Sequence, residues 1–174
     1  DLVNLIVKRQ FIVVKNSPFE PGSEITKYFE LLDNESALKK EYMEMLLMPE
    51  GDEKTAAQNA LRLKMRPGDI NCNIMTKLDR DYYDKEGNKL PLGNSDALAA
   101  LRGFARSKLE SAIEFSAGIN RRLYSYVEQF KEFSADASGN IKKRIILKVS
   151  DFRSSIVQGK FFAQKGLWIS EYRI

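Results

Sequence analysis

The sequence predicts an α/β protein made of parallel β/α repeats, with a helical N-terminal part. Apolar segments of strand length alternate with amphipathic helical segments from residue 70 to residue 174, which is typical of a parallel sheet covered by helices. Residues 145–150, 151–165 and 167–174 form a strand, a helix and a strand at the spacing of a crossover unit. Gly166 stands where the helix of that unit should end.

The repeats leave two ways to close the sheet. One is an open, doubly wound sheet, and the other is an arc of an eight-stranded TIM-type barrel. A complete barrel typically takes about 250 residues, so a barrel would be incomplete in a chain of 174 residues.

The N-terminal part has a mixed pattern. Residues 2–15 are rich in Val, Ile and Leu, and this composition predicts one long strand or two short ones. Ser23 is placed to cap a helix, and helical spacing of apolar residues continues over 36–48 and 55–65. We therefore expect residues 1–66 to form N-terminal strands plus a helical segment. Residues 67–174 form the β/α-repeat segment, in one continuous domain or in a fragment of a larger one.

Within the repeat segment, each element follows from its apolar spacing and its flanking turn residues. The predicted strands cover 70–77, 111–117, 144–150 and 167–174, and the predicted helices cover 94–108, 120–133 and 151–165. Residues 79–93 are polar and contain Glu86-Gly87-Asn88, a hairpin-type turn signal. Tyr82 and Tyr83 in this segment belong either to a lid or to an ordinary surface loop.

Charge and composition limit the classes of partner. The chain has 28 basic and 24 acidic residues, a net charge of +4 that permits anionic ligands but does not indicate nucleic acid. A single cysteine, Cys72, excludes an internal disulfide framework and suits a reducing compartment. No apolar run approaches the roughly twenty residues of a membrane span. We expect a cytoplasmic protein that does not enter the membrane.

Several catalytic classes are excluded by missing residues. The chain has no histidine, which removes a Ser-His-Asp triad and most zinc sites. It also has no Walker loop and no Gly-x-Gly-x-x-Gly fingerprint. The sequence therefore indicates no metal site and assigns no catalytic residue.

Polar residues follow the predicted strands at their carboxyl ends, where α/β folds bind ligands. We expect them to converge on one rim and to form a pocket for a small, phosphate-bearing ligand. The candidates are Lys77, Ser116, Asn120, Arg121, Lys148, Glu171 and Arg173. Arg121 and Arg122 would either grip the phosphate or lie on a solvated helix face.

Lys148 is the most informative of these candidates because it interrupts the apolar run 145–149. Alternation places Ile146 and Lys148 on one face of the strand. In an all-parallel sheet both faces are covered, so a buried ammonium group needs a partner. An ion pair with Asp151 or Glu171 and contact with a ligand both remain open at this point.

The last thirty residues resemble the flavin-binding barrel of glutamate-synthase-like oxidoreductases and their nitronate-monooxygenase relatives. Leu147-Lys148-Val149-Ser150-Asp151 looks like that family's strand of apolar residues, lysine and serine. Ile156-Val157-Gln158-Gly159-Lys160 lies in the following helix, and Leu167-Trp168-Ile169-Ser170 is similar to the final strand. In that family the final strand leads to a glycine-rich phosphate loop, which would follow Ile174.

The resemblance implies a segment of an FMN-dependent oxidoreductase of barrel type, with Lys148 contacting the flavin. Ser116, Asn120 and Arg121 would then contact the FMN phosphate or the substrate, and Lys77, Glu171 and Arg173 would contact the substrate. The alternative is a non-catalytic α/β domain that recognises an anionic ligand or partner, or that serves in assembly. In either case we expect the remainder of a longer chain, or further copies of this one, to complete the assembly.

Overall fold

The architecture comes from a computed structural model that describes residues 1–76, 79–116 and 118–174. The chain divides into two compact units, residues 2–68 and residues 69–174.

The N-terminal unit is made of helices. Its elements are α1 (Leu2–Asn16), α2 (Glu24–Glu30), α3 (Ala37–Leu47) and α4 (Asp52–Lys64). The predicted cap of α2 is confirmed, because the Ser23 hydroxyl accepts a hydrogen bond from the Thr26 backbone amide. Buried side chains from these helices and their ends form one core: Ile25, Phe29, Tyr42, Met45, Leu61 and Met65.

The strand or strands predicted over residues 2–15 are wrong, because this segment is the helix α1. Phe11 and Val14 lie three residues apart on one side of α1 and pack against the core of the unit. Their spacing is helical. The richness in Val and Ile suggested a strand, but this preference is weak and packing overrides it.

The C-terminal unit alternates strands and helices in the predicted order. Its elements are β1 (Cys72–Ile74), α5 (Asp96–Arg106), β2 (Ala112–Phe115), α6 (Arg121–Val127), β3 (Arg144–Lys148), α7 (Phe152–Ala163) and β4 (Ile169–Arg173). Short 3₁₀ turns at Leu92–Asn94 and Lys131–Phe133 precede α5 and follow α6. Each strand is shorter than predicted, because only the residues with ladder partners count as strand.

The four strands form one parallel sheet in the order β1-β2-β3-β4. The α/β class and the parallel β/α repeats are therefore confirmed. A doubly wound sheet reverses its strand order at a switch point, and the order of the described strands contains no reversal. These four strands do not close into a barrel.

The two faces of this sheet differ in chemistry. Ile113, Phe115, Ile145 and Leu147 point to one face and join side chains of α5, α6 and α7 in a single apolar core. Residues of the other face belong to no apolar core cluster in the described part of the chain, and several are exposed. Ala112, Glu114 and Ile146 on this face are nonetheless buried, so the face is only partly exposed.

The polar segment 79–93 is tied to the rest of the unit. Its predicted hairpin turn is confirmed by the antiparallel bridge between Tyr83 and Lys89. Asp79 accepts hydrogen bonds from the Ser95 hydroxyl (3.0 Å) and the Ala97 amide (3.2 Å) at the start of α5. These contacts favour an ordered surface loop over a lid.

Candidate functional site

The face of the sheet opposite the apolar core carries polar side chains on all four strands. Asn73, Glu114 and Glu171 lie in one row across the sheet, with Ile146 between the two carboxylates. The next row toward the carboxyl ends contains Lys148 on β3 and its register partner Arg173 on β4. Parallel pairing thus brings side chains from positions 73 to 173 onto one surface.

Arg173 is the centre of the polar contacts on this face. Its guanidinium donates to Glu114 (2.6 Å) and, through Nε and Nη2, to the two carboxylate oxygens of Glu171 (2.5 and 3.3 Å). The hydrogen bonds from Arg173 lower the pKa of Glu171 below its usual range and raise the pKa of Arg173. Such a forked arrangement fixes the plane of the guanidinium.

Glu114 joins this contact to β1. Its side chain is largely buried, and its second carboxylate oxygen accepts from the Asn73 amide (3.3 Å). The side-chain carbonyl oxygen of Asn73 (Oδ1) in turn accepts a hydrogen bond from the Ser116 hydroxyl (2.7 Å). A chain of hydrogen bonds therefore runs from Ser116 to Glu171 across the sheet.

Lys148 stands apart from this chain of contacts. Its side chain is exposed, and within the described residues its ammonium group makes no ion pair. The anticipated partners are occupied, because Glu171 binds Arg173 and Asp151 caps α7. Of the two alternatives for Lys148, the ion pair is therefore not formed.

A cleft of about 350 Å³ opens beside Lys148. It lies at the carboxyl ends of β2 and β3, between the residues that follow β2 and the first turns of α7. Its lining includes Gly118, Ile119, Lys148, Ser150, Ser154 and Gln158. Among the described lining residues Lys148 is the charged side chain, and it lies with the hydroxyls of Ser150 and Ser154 and the amide of Gln158.

The inner wall of the cleft is firmly packed. Gln158 is buried and accepts a hydrogen bond from the Tyr124 hydroxyl (2.6 Å). Tyr124 packs among the rings of Phe115 and Phe162, and burial raises its pKa to about 12. The phenol is therefore neutral near pH 7 and donates its proton in the hydrogen bond to Gln158.

The amino end of α7 is already satisfied by the chain itself. The Asp151 carboxylate accepts from the Ser154 backbone amide (2.8 Å) and from the Ser150 hydroxyl (2.8 Å). Both hydrogen bonds lower the pKa of Asp151, and the one from the Ser154 amide has the larger effect. An anionic ligand would meet a carboxylate here and not a set of free amides.

The polar side chains at the start of α6 are also engaged in contacts within the protein. The Asn120 side chain accepts from the Leu123 amide (3.0 Å) and caps the helix. Arg122 forms an ion pair with Asp81, which also binds Lys89, and these contacts lower the pKa of Asp81. Arg121 is exposed. The predicted grip of Arg121 and Arg122 on one phosphate is not supported by this arrangement.

Six of the seven predicted site residues lie in the described part of the chain, in three places. Ser116, Glu171 and Arg173 share the hydrogen-bonded chain, and Lys148 lies next to Arg173 while lining the cleft. Asn120 and Arg121 are placed at the start of α6, and Lys77 lies outside the described residues. The sequence reasoning missed Glu114 and Asn73. The signal was present, because each is a polar residue inside an apolar strand, as Lys148 is.

A second cavity, of about 420 Å³, lies near the amino ends of β3 and β4. Its lining includes Phe133, Ile141, Gly166 and the exposed Trp168. None of its lining residues in the described part of the chain carries a charge. Since ligands of parallel α/β folds bind at the carboxyl ends of the strands, the cleft at Lys148 is the better candidate.

In the part of the chain that the structure describes, no group of three or more His, Cys, Asp or Glu side chains is arranged so that it could hold a metal ion. None of the helices in residues 1–76, 79–116 and 118–174 has the length and apolar character needed to cross a bilayer.

Comparison with known proteins gives no relative for this chain. No family model matches it, and no curated protein and no solved structure is significantly similar to it. The class that the fold itself defines is a parallel α/β protein with a polar sheet face and a cleft at the carboxyl ends of its strands.

Proposed function

We propose that the C-terminal unit binds a small anionic molecule in the cleft beside Lys148. The observation that carries this proposal is the exposed ammonium group of Lys148, which lines the cleft and makes no ion pair among the described residues. The neighbouring cation on the same face, Arg173, is held by two carboxylates. Lys148 is thus the cation with full capacity for a ligand.

The size and chemistry of the cleft agree with a small ligand. Its volume of about 350 Å³ falls at the lower end of the range of roughly 300–1,000 Å³ that is usual for ligand pockets. The Ser150 hydroxyl donates to Asp151 and is hydrogen-bonded to the Ser154 hydroxyl (2.9 Å), so the ammonium of Lys148 is the charged donor of this lining that an oxyanion would meet. A carboxylate or phosphate group is the part of the ligand that this lining would recognise.

We propose, as a second and more specific candidate, that the chain is a segment of an FMN-dependent oxidoreductase of barrel type. Two observations favour it: the parallel strands follow one another without reversal, and Lys148 lies on the face away from the apolar core. If FMN binds, the flavin supplies the redox chemistry, and Lys148 is the residue of this chain that would contact it.

The fit to FMN is partial. A phosphate bound at the start of α6 or α7 would compete with Asn120 and Asp151, which cap these helices. The described part of the cleft lining also holds no aromatic side chain for the flavin ring. We therefore derive no reaction step through FMN, and its binding is a matter for direct titration.

The experiment compares ligand binding by the wild-type chain and two lysine variants. Inorganic phosphate and FMN are titrated separately by calorimetry into wild type, Lys148→Gln and Lys160→Gln. Lys160 is an exposed lysine of α7 outside the cleft lining and serves as the control for net charge. A lost charge-assisted hydrogen bond is worth roughly 1.5–3 kcal/mol, so Lys148→Gln should weaken binding by about 10- to 100-fold.

The outcomes separate the two candidates. Equal weakening by both variants, or phosphate binding that neither changes, would contradict the site at Lys148. FMN binding with visible flavin absorbance, lost in Lys148→Gln, would favour the oxidoreductase. Phosphate binding without any FMN binding would support the proposal of an anion-binding domain and contradict the proposal of an FMN-dependent oxidoreductase.

A further inference from the structure

The side chains around Arg173 suggest a task for the buried carboxylate of Glu114. A guanidinium has five N–H donors. Nε and Nη2 of Arg173 each use one donor on Glu171, and Nη1 uses one on Glu114. In the described part of the chain, one N–H on Nη1 and one on Nη2 therefore have no acceptor.

Arg173 and Lys148 are neighbours in the sheet. Lys148 and Arg173 are register partners on β3 and β4, and both belong to the face opposite the apolar core. Like charges at directly opposed positions of neighbouring strands destabilise a sheet. Glu114 and Glu171 carry two negative charges against the one positive charge of Arg173, so these three groups together with Lys148 have no net charge. An oxyanion between the two cations would meet the free N–H groups of Arg173 and the ammonium of Lys148.

The two carboxylates make different contributions. Glu171 is exposed, and its hydrogen-bond partner among the described residues is Arg173. Glu114 is 8% exposed and is held by Asn73 as well as by Arg173. Glu114 is therefore the fixed point, and it sets where Nη1 of Arg173 stands relative to β3.

We propose that Glu114 is a positioning residue: its buried carboxylate holds the guanidinium of Arg173 so that Arg173 and Lys148 grip the same oxyanion. The ligand class is a phosphate monoester, because a dianion matches two cationic contacts better than a carboxylate does. This inference rests on the proposed function and extends it from Lys148 to β4 and β2.

The test exploits a conflict between charge and geometry. Glu114→Gln removes a negative charge, so electrostatics alone predicts tighter phosphate binding. Positioning predicts the opposite: phosphate binding weakens by about tenfold, the effect of losing one oriented charge-assisted contact. Glu110→Gln changes the net charge equally at an exposed site just before β2 and should leave the affinity unchanged. Arg173→Lys keeps the charge but loses the fork and should also weaken binding.

Two further readouts separate positioning from a merely structural role. Acetate is titrated beside inorganic phosphate, and the preference for phosphate should fall in Glu114→Gln. The Arg173 Nε–Hε signal in NMR should show slow guanidinium rotation in wild type and faster rotation in Glu114→Gln, at equal folded fractions. If Glu114→Gln lowers the folded fraction, Asn73→Ala, which removes the second hydrogen bond that holds the Glu114 carboxylate, provides the second variant and should weaken phosphate binding in the same direction.

Each result decides something. Unchanged or tighter phosphate binding by folded Glu114→Gln, with binding still lost in Lys148→Gln, would overturn the role of Glu114 and leave the proposed function standing. Absence of phosphate binding by the wild-type chain would overturn both.

Discussion

Lys143 shows how one side chain can complete the end of a helix. It is completely buried, and its ammonium donates to the Phe104 carbonyl (2.6 Å), the Ser107 carbonyl (3.0 Å) and the Ser107 hydroxyl (3.0 Å). The ammonium also lies 4.5 Å from the centre of the Phe104 ring. Burial lowers its pKa. A cation at the carboxyl end of α5 is favourable for the helix dipole and satisfies its last carbonyls.

Replacing Lys143 tests this role. Lys143→Met should lower the free energy of unfolding by about 1–3 kcal/mol, because buried carbonyl oxygens lose a charged donor. The neighbouring Lys142 is exposed, so Lys142→Met should change the free energy of unfolding by no more than about 0.5 kcal/mol. Urea denaturation measures both variants. Equal effects of the two substitutions would contradict the assignment.

The buried phenol of Tyr124 predicts a dependence of stability on alkaline pH. Its folded pKa, about 12, lies above the value of about 10 in unfolded chains. Its contribution to stability is therefore complete below pH 10 and is lost as the pH rises toward 12. Tyr124→Phe should be less stable than wild type by about 1 kcal/mol near neutral pH, and this difference should shrink between pH 10 and pH 12.

Urea denaturation at a series of pH values measures that difference. Tyr83→Phe, which removes an exposed phenol, is the matched control and should follow wild type at each pH. A difference between wild type and Tyr124→Phe that stays constant up to pH 12 would contradict the buried, neutral phenol.

The two lysines near β3 illustrate what sequence can say about single residues. Alternation correctly placed Lys148 and Ile146 on one face, but it could not tell whether that face is covered. The local pattern left open whether Lys148 is paired, exposed at an edge or directed at a ligand, and it gave no sign that the buried lysine is Lys143, five residues earlier. Its partners belong to the end of α5, 36 to 39 residues away in the chain. Such a contact leaves no local pattern.

At the scale of elements, α6 is a short helix whose start depends on one side chain. Asn120→Ala should lower the free energy of unfolding by about 1 kcal/mol, because the Leu123 amide loses its acceptor. Asn120→Asp should keep most of the stability, since an aspartate caps equally well. Ser125→Ala, at an exposed position of the same helix, is the control. Thermal unfolding compares the three variants, and an unchanged midpoint in Asn120→Ala would argue for a role other than capping.

The elements also mark where prediction from sequence was sound. The order of strands and helices from residue 70 onward follows from apolar spacing, since each strand is a short apolar run and each helix has an apolar side. The segment 2–15 misled because Val and Ile outweighed the three-residue spacing of Phe11 and Val14. The strand register that joins Arg173 to Glu114 is a long-range property, and no local signal specifies it.

At the scale of the molecule, the described sheet has two inner and two outer strands. Backbone amides of β3 are bonded in ladders on both sides, whereas β4 pairs with β3 alone. Hydrogen exchange should therefore be slow along all of β3 and slow only at alternate residues of β4. Uniform protection along β4 in the isolated chain would mean that another strand covers its outer edge, which would contradict the open sheet of four strands.

The proposed site depends most on the ammonium group of Lys148 as the contact for an anionic ligand. The direct measurement is the NMR signal of the lysine side-chain Cε and Nζ atoms during titration with inorganic phosphate, with Lys148 assigned through Lys148→Gln. We expect the Lys148 signal to shift and saturate while the signal of Lys160 stays in place. A Lys148 signal that does not move, or that moves only in step with every exposed lysine, would contradict the site.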